Sequence, residues 1–263
     1  MRDILEIKNL SITYTSVGAE FKAVDGVNLS MKEGSILGVV GESGCGKTTL
    51  AMSIAMLLPE NAKISNGEII YKREDVLTLN QKRLSQIRGR QVGYIFQDPT
   101  SALNPVMSIG EQLIETITEA KKFSTAQAIE EAYRLLALVR IPYPKEQMKF
   151  YPHQLSGGLN QRVMIALALA SNPKLLIADE PTSNLDVTIE ASIVQLLSEL
   201  KQCLNLSIIF ITHDLSLVRF LADETAVMYQ GKIIECKTTS LIFSQPQALY
   251  TKELVQASLI SML

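Results

Sequence analysis

The stretch Gly41–Thr49, GESGCGKTT, decides how the rest of the chain is read. It follows the apolar run SILGVV (Ser35–Val40) and leads into an apolar helical pattern, TLAMSIAMLL (Thr49–Leu58). Gly41, Gly44 and Gly46 let a backbone wrap closely around a phosphate, and a helix start turns unpaired N–H groups towards an anion. Lys47 brings positive charge to the β- and γ-phosphates of a nucleotide, and Thr48 offers its hydroxyl to Mg²⁺. Ser43, Cys45 and Thr49 complete the loop. A plain glycine-rich turn explains the glycines but neither the lysine and hydroxyl at the loop's end nor the strand and helix around it.

Two further apolar runs, LLIAD (Leu175–Asp179) and SIIFIT (Ser207–Thr212), read as buried strands of a partly parallel sheet. Between them Ile189, Ile193, Leu196, Leu197, Leu200 and Leu204 fall at helical spacing on one face, so strand, helix and strand form a βαβ unit. Asp179 ends the first of these strands and is held rigidly where a metal ion at the phosphates would sit. Glu180, one step further out, is placed to orient or deprotonate a water. Alone, an acidic pair before Pro181 fits a helix start equally well; beside the glycine loop, the chemical reading is preferred.

Around this core the pattern changes. LEIKNLSITY and GEIIYK read as antiparallel strands, with Asn66-Gly67 as a turn signal. STAQAIEEAYRLLALV begins with Ser124 and Gln127 in capping-box spacing and keeps Ile129, Ala132, Leu136 and Val139 on one face. Roughly Asp98 to His153 is therefore a helical insertion, with Pro142, Pro144 and Pro152 at its exit. The 263 residues suffice for one large domain with subdomains, and 47% hydrophobic against 20% charged residues describes a folded globular chain. A net charge of -2 disfavours nucleic acid as a partner. The longest apolar run, Val163–Ala170, is eight residues, where a membrane span needs about 20. The charged N-terminus MRDILEIKNL is not a signal peptide, which leaves the chain in the cytosol. Cys45, Cys203 and Cys236 are too scattered for a metal pattern and read as free thiols; Cys45, inside the phosphate loop at a helix start, is expected to have a lowered thiol pKa.

A second glycine pair opens another helix, in LSGGLNQR (Leu155–Arg162). Ser156, Gly157 and Gly158 would present a second set of backbone N–H groups to an anion, although on their own they also fit a simple helix cap. One nucleotide needs only one phosphate cradle, so the second requires an explanation.

Taken in order, GESGCGKT, LSGGLNQR, LLIADEP, SNLD and ITHD resemble the ATP-binding subunit of an ABC transporter, over nearly the whole chain. The resemblance implies an α/β fold: a P-loop NTPase core with a mixed sheet, an antiparallel β subdomain and a helical signature subdomain. It implies one ATPase domain over 1–263, with core and β subdomain at about 1–97 and 160–235, the helical subdomain at about 98–159 and a tail at about 236–263. In that family the LSGGQ-type segment binds the γ-phosphate of an ATP gripped by another subunit, so two subunits sandwich two ATP molecules head to tail. This answers the question of the second cradle: it is completed in trans. The chain reads LSGGLN where the family often has LSGGQ, with Gln161 two places on. Gln97 matches the Q-loop glutamine, which senses Mg²⁺ and touches the membrane subunit. His213 matches the switch histidine at the γ-phosphate; read alone, it is a polar residue at a strand end. Asp186 ends the D-loop, in which Asn184 stands for a more usual alanine. Tyr14 matches the aromatic that stacks on adenine, with Phe21 as a rival.

The pattern QDP…LNP…IG.QL, carried by Gln97, Asp98, Pro99, Leu103, Asn104, Pro105, Ile109 and Gly110, resembles the dipeptide, oligopeptide and nickel importer branch. YPHQLSGG and the tail QPQALYTKELVQASL point the same way, the tail loosely, because Gln247-Ala248-Leu249 precede Tyr250-Thr251. Many members of that branch carry a late cysteine cluster for an iron–sulfur centre; here Cys236 is the only late cysteine, and no cluster is expected. The resemblance implies ATP and Mg²⁺ as cofactors, a second and different ATPase subunit, two transmembrane permease subunits, an extracytoplasmic solute-binding protein acting indirectly, and a place on the cytoplasmic face of the membrane. Peptide and nickel both stay open as the solute. ABC ATPases of DNA repair or of the ribosome are a second class. Those of repair carry a long coiled coil between their motifs, whereas 109 positions and no heptad run separate Lys47 from Ser156. Those of the ribosome usually hold two cassettes in one chain, and this chain has one.

Overall fold

The computed structural model describes residues 2–16, 18–183 and 185–260. The chain opens with two long strands, β1 (Asp3–Ser16) and β2 (Ala19–Lys32), then β3 (Ile36–Val40) and helix α1 (Lys47–Ile54). Next come β4 (Ala62–Tyr71), β5 (Glu74–Asp75), α2 (Gln81–Arg90) and β6 (Val92–Ile95). A helical stretch follows: α3 (Pro99–Ala102), α4 (Ile109–Lys121), α5 (Thr125–Leu138), α6 (Pro144–Gln147) and α7 (Gly157–Leu169). The remainder alternates: β7 (Leu175–Asp179), α8 (Val187–Leu204), β8 (Ser207–Thr212), α9 (Leu215–Leu221), β9 (Glu224–Tyr229), β10 (Lys232–Thr238), α10 (Thr239–Ser244) and α11 (Leu249–Ile260).

The strands form two sheets. One has the order β2-β1-β4-β5 and is antiparallel; the other has the order β10-β9-β3-β8-β7-β6, parallel except for the β10 edge. Strict alternation along the parallel strands divides the interior in two. Leu37, Val39, Leu175, Ile177, Ile209 and Ile211 face one side and pack with α1 and the antiparallel sheet. Ile36, Val40, Leu176, Ala178, Ile208 and Phe210 face the other and pack with the helices. Both faces are covered, which is why these strands read as unbroken apolar runs. Consecutive β7, α8 and β8 form the expected parallel unit, with Ile193, Leu196, Leu197 and Leu200 buried on the helix.

The capping box of α5 is present: Ser124 caps the Gln127 N–H while Gln127 accepts from Ser124 N. An equivalent box, Ser108 with Glu111, starts α4. Two expectations are corrected. Asn66-Gly67 is not a turn: it lies inside β4, at a register shift against β1. Gly67 has φ 103°, and a Cβ there would lie 2.6 Å from the Asn9 carbonyl oxygen; it is the single residue opposite a bulge of β1 at Asn9-Leu10, not part of a hairpin turn. The helix after the glycine loop stops at Ile54, short of Leu58; Met56 turns to φ 58° and the Leu57 N–H closes back on Met52 O. Among the described residues, no helix is long and apolar enough to cross a membrane.

Candidate nucleotide site

The parallel sheet delivers the site, because β3, β7 and β8 all end along one edge. Off β3, residues 41–46 turn into α1 with Gly46 at φ 108°, where a Cβ would lie 2.3 Å from the Ala23 carbonyl oxygen. No other residue type fits this close approach. Lys47 is buried, and its Nζ donates to Gly41 O at 2.7 Å and Glu42 O at 2.8 Å, inside the curve of the loop. The same Nζ stands 3.9 Å from Glu180 Oε1.

Asp179, at the end of β7, is 2% exposed. Thr48 donates to its Oδ1 at 3.1 Å, and Tyr94 on β6 donates to its Oδ2 at 2.8 Å. Burial pushes its carboxyl above the usual range, opposed by those two donors. A carboxylate so placed beside a hydroxyl is a hard-oxygen donor set of the kind Mg²⁺ takes. Glu180 sits in a left-handed turn at φ 45°, its N–H donating to Ile211 O at 3.0 Å. Its carboxylate gathers two more residues: Gln97 Nε2 donates to Oε2 at 3.2 Å, and His213 Nδ1 lies 3.5 Å from the same oxygen. Lys47, Gln97 and His213 thus gather on Glu180, with His213 at the exposed rim, and Thr48 and Tyr94 gather on Asp179; the two groups adjoin through the Lys47-Thr48 and Asp179-Glu180 peptides.

On β1, Tyr14 is half-buried with its hydroxyl 3.3 Å from Thr49 Oγ1, at the side of the loop. Phe21 is its cross-strand partner on β2 and is 63% exposed. Ser43 and Gly44 are exposed at the loop's crest.

The second helix start lies apart. Ser156 caps α7 by accepting the Leu159 N–H at 3.4 Å, and Ser156 and Gly157 are exposed. Among the described residues, no hydrogen bond or ion pair joins Ser156–Gly158 to the first loop. Their neighbours are instead Leu185 and Ile189, at the start of α8, where Asp186 caps the Ile189 N–H at 3.0 Å. Arg162 fixes α7 by donating to Val139 O at 2.8 Å and Ser192 Oγ at 3.2 Å. Gln161 is 1% exposed and turns inward. Asn184 lies outside the described residues.

Three contributors escape a reading by motif. Tyr94, a polar ring in the apolar run VGYIF, holds Asp179; its position one residue before the end of β6 is the one available signal. Ser183 Oγ lies 3.2 Å from Gln97 O and 2.9 Å from Glu180 O, tying the two segments together. Tyr250, from the far end of the chain, accepts the Glu42 N–H at 2.9 Å. One expectation is reversed: a helix start should lower the thiol pKa of Cys45, but its side chain is buried in the loop, and burial raises it against the opposing charge of Lys47.

A phosphate loop, a buried metal-type carboxylate and a second, separate glycine-led helix start define a nucleotide-hydrolysing cassette. The chain belongs to the ABC transporter family, whose pattern matches residues 24–183. It is 46% identical over 97% of its length to the dipeptide transport ATP-binding protein of Bacillus subtilis, spanning 76% of that protein. It is 44% identical to the oligopeptide transport ATP-binding protein of Escherichia coli, over 97% of this chain and 75% of that one. Among solved structures it superposes on the dimeric cassette MJ0796 bound to ADP and phosphate with a TM-score of 0.80 at 29% identity, covering 89% of this chain and 98% of that one. The cassette cbiO1 of Clostridium perfringens, part of a transporter complex, matches over the whole of both chains with a TM-score of 0.81 at 26% identity. The protein is an ATP-binding cassette ATPase.

Proposed function

We propose that this chain energises the import of di- or oligopeptides from the cytoplasmic face of the membrane, with a second ATPase subunit and two permease subunits that receive solute from an extracytoplasmic binding protein. The observation that carries the ATPase mechanism is the division of the site: one network around Lys47 and Glu180, and one exposed helix start that no hydrogen bond or ion pair among the described residues joins to it. The solute class rests on the peptide transporters to which the chain is nearly half identical.

In this reading the amides of residues 44–48 and the Lys47 ammonium hold the β- and γ-phosphates, and Tyr14 stacks on adenine. Thr48, Asp179 and Gln97 would hold Mg²⁺, which when bound would supply positive charge against the developing charge of the phosphates. Glu180 takes a proton from the attacking water as its oxygen bonds to the γ-phosphorus and the bridging oxygen departs with ADP. Gln97 and His213 fix the Glu180 carboxylate, and His213 reaches the γ-phosphate from the rim. Ser156, Gly157 and Gly158 close the partner's site, with Asp186 beside them. ATP then holds the two subunits together, and hydrolysis releases them.

Reconstitution tests this. Co-expressed with its permeases, the chain should fractionate with membranes and drive ATP-dependent uptake of a labelled tripeptide. Uptake of nickel ions instead would overturn the solute class. Fractionation with ribosomes or DNA and not with membranes would overturn the transporter reading.

A further inference from the structure

Helix α11 reaches the phosphate loop from the opposite end of the chain. Tyr250, in its first turn, accepts the Glu42 N–H at 2.9 Å, and its ring packs on Tyr229 with centroids 4.5 Å apart. Tyr229 ends β9, and two residues on, the Gly231 N–H donates to Cys45 O at 3.0 Å. The loop's backbone is therefore held at two points, Glu42 N and Cys45 O, both by groups late in the chain. Neither point belongs to the amides that face a phosphate.

The tyrosine is itself held. Glu235 on β10 is buried, and its carboxylate accepts the N–H groups of Gln247, at 3.0 and 3.1 Å, and of Ala248, at 3.1 Å, immediately before α11. Lys237 Nζ donates to it at 2.9 Å. Thr251 and Val255 are buried on the helix's inner side. A buried carboxylate taking the free donors that lead into a helix fixes where that helix begins, and hence where the Tyr250 hydroxyl sits.

We propose that Tyr250 is a positioning residue for ATP: α11, seated on Glu235, braces the first peptide of the phosphate loop, so the docked tail sets how tightly nucleotide is gripped. The inference rests on the ATP-site reading above. The physical reason is preorganisation. A loop already held in its binding shape loses less freedom when phosphate arrives. Without the hydroxyl, Glu42 N–H turns to water and the loop must be ordered at the expense of affinity.

The test uses the full chain and N-methylanthraniloyl-ATP with Mg²⁺ as the probe. Tyr250→Phe removes only the hydroxyl, and Kd should rise roughly three- to tenfold, the range expected for one hydrogen bond. Amide hydrogen exchange in the peptide spanning 41–46 should quicken without any nucleotide, while Tm changes little. Glu235→Gln, which loosens the seat of α11, should reproduce both changes. Unchanged exchange and Kd in Tyr250→Phe would overturn the brace, as would a fall in Tm with Kd unmoved, which would make the tyrosine a packing residue only. Lys47→Ala separates the two readings. If it abolishes probe binding while Tyr250→Phe has no effect, the ATP site stands and the brace fails. If wild type and Lys47→Ala bind the probe equally, the ATP-site reading fails and the brace with it.

Discussion

Helices α1 and α7 both start at glycine, Gly46 capping the first and Gly157 opening the second, with N–H groups turned outward, yet they are furnished in opposite ways. The start of α1 is enclosed: Lys47 is buried within the loop, Asp179 and Glu180 stand across from it, and a late tyrosine supports its first peptide. The start of α7 carries the Ser156 cap and, among the described residues, only the apolar Leu185 and Ile189 beside its glycines. A single helix N-terminus attracts an anion by only about 0.3–1 kcal/mol. On the proposed mechanism the first site binds on its own, and the second acts only on a phosphate that something else already holds. The contrast teaches that identical local chemistry can serve as a socket or as a lid, according to what the tertiary structure places opposite it.

The largest effect should come from Glu180→Gln, which keeps the shape of the first site but removes its proton acceptor. Hydrolysis should fall roughly 10²–10⁴-fold in a phosphate-release assay while ATP binding survives. Turnover near wild type would remove Glu180 from the role of base and break the contrast at its root. A smaller loss, roughly 10- to 100-fold, is expected from Lys47→Ala in this chain or from changing the signature serine of the partner subunit. Both lesions strike one composite site, so the double mutant should be little worse than either alone. Additive losses would place them in separate sites. By the same logic the isolated chain should be mainly monomeric and hydrolyse slowly; vigorous turnover by a monomer would show that α7 needs no partner's phosphate.

Burial also governs reactivity. Cys45 is enclosed with its thiol pKa raised, whereas Cys203 is exposed. Maleimide should therefore modify Cys203 first, and mass spectrometry of tryptic peptides after brief labelling would show it; faster labelling of Cys45 would mean that the loop opens readily. The smallest effect lies in acid stability. In the helical region Glu131 accepts from Arg134 at 2.7 Å and Lys121 at 2.6 Å, and these donors, Arg134 foremost and against burial, hold its carboxyl down to about 2 from 4.5. Because the folded value is the lower one, the stabilisation is complete above about pH 4.5 and fades as pH falls towards about 2. Glu131→Gln should flatten part of the decline in Tm across that window. An unaltered slope would leave Glu131 without a part in it.

What was legible in the sequence follows from distance along the chain. The loop, Asp179, Glu180 and the α7 start are each set by a handful of consecutive residues whose types admit few conformations, so they could be read directly. The α5 capping box is local in the same sense. Asn66-Gly67 was misread because a dipeptide reports a positive φ but not the strand paired against it; the bulge of β1 at Asn9-Leu10 is what Gly67 accommodates. Tyr94 and Tyr250 depend on contacts across 85 and 208 positions, and nothing near either residue advertises them. Cys45 was misjudged for a related reason: helix-start electrostatics is local, whereas the burial that overrides it comes from tertiary packing.

The left-handed backbone at Glu180 has a consequence for how such a protein evolves. A residue with a Cβ held at φ 45° pays about 1–2 kcal/mol that glycine would not. Glu180→Gly should then melt higher than Glu180→Gln, though both would hydrolyse slowly. Selection for stability alone would drift towards glycine at this position; on the proposed mechanism, the demand for a carboxylate keeps the strained residue there. The tension in one peptide is thus a record of use, and a lineage that had abandoned hydrolysis would be expected to relax it first.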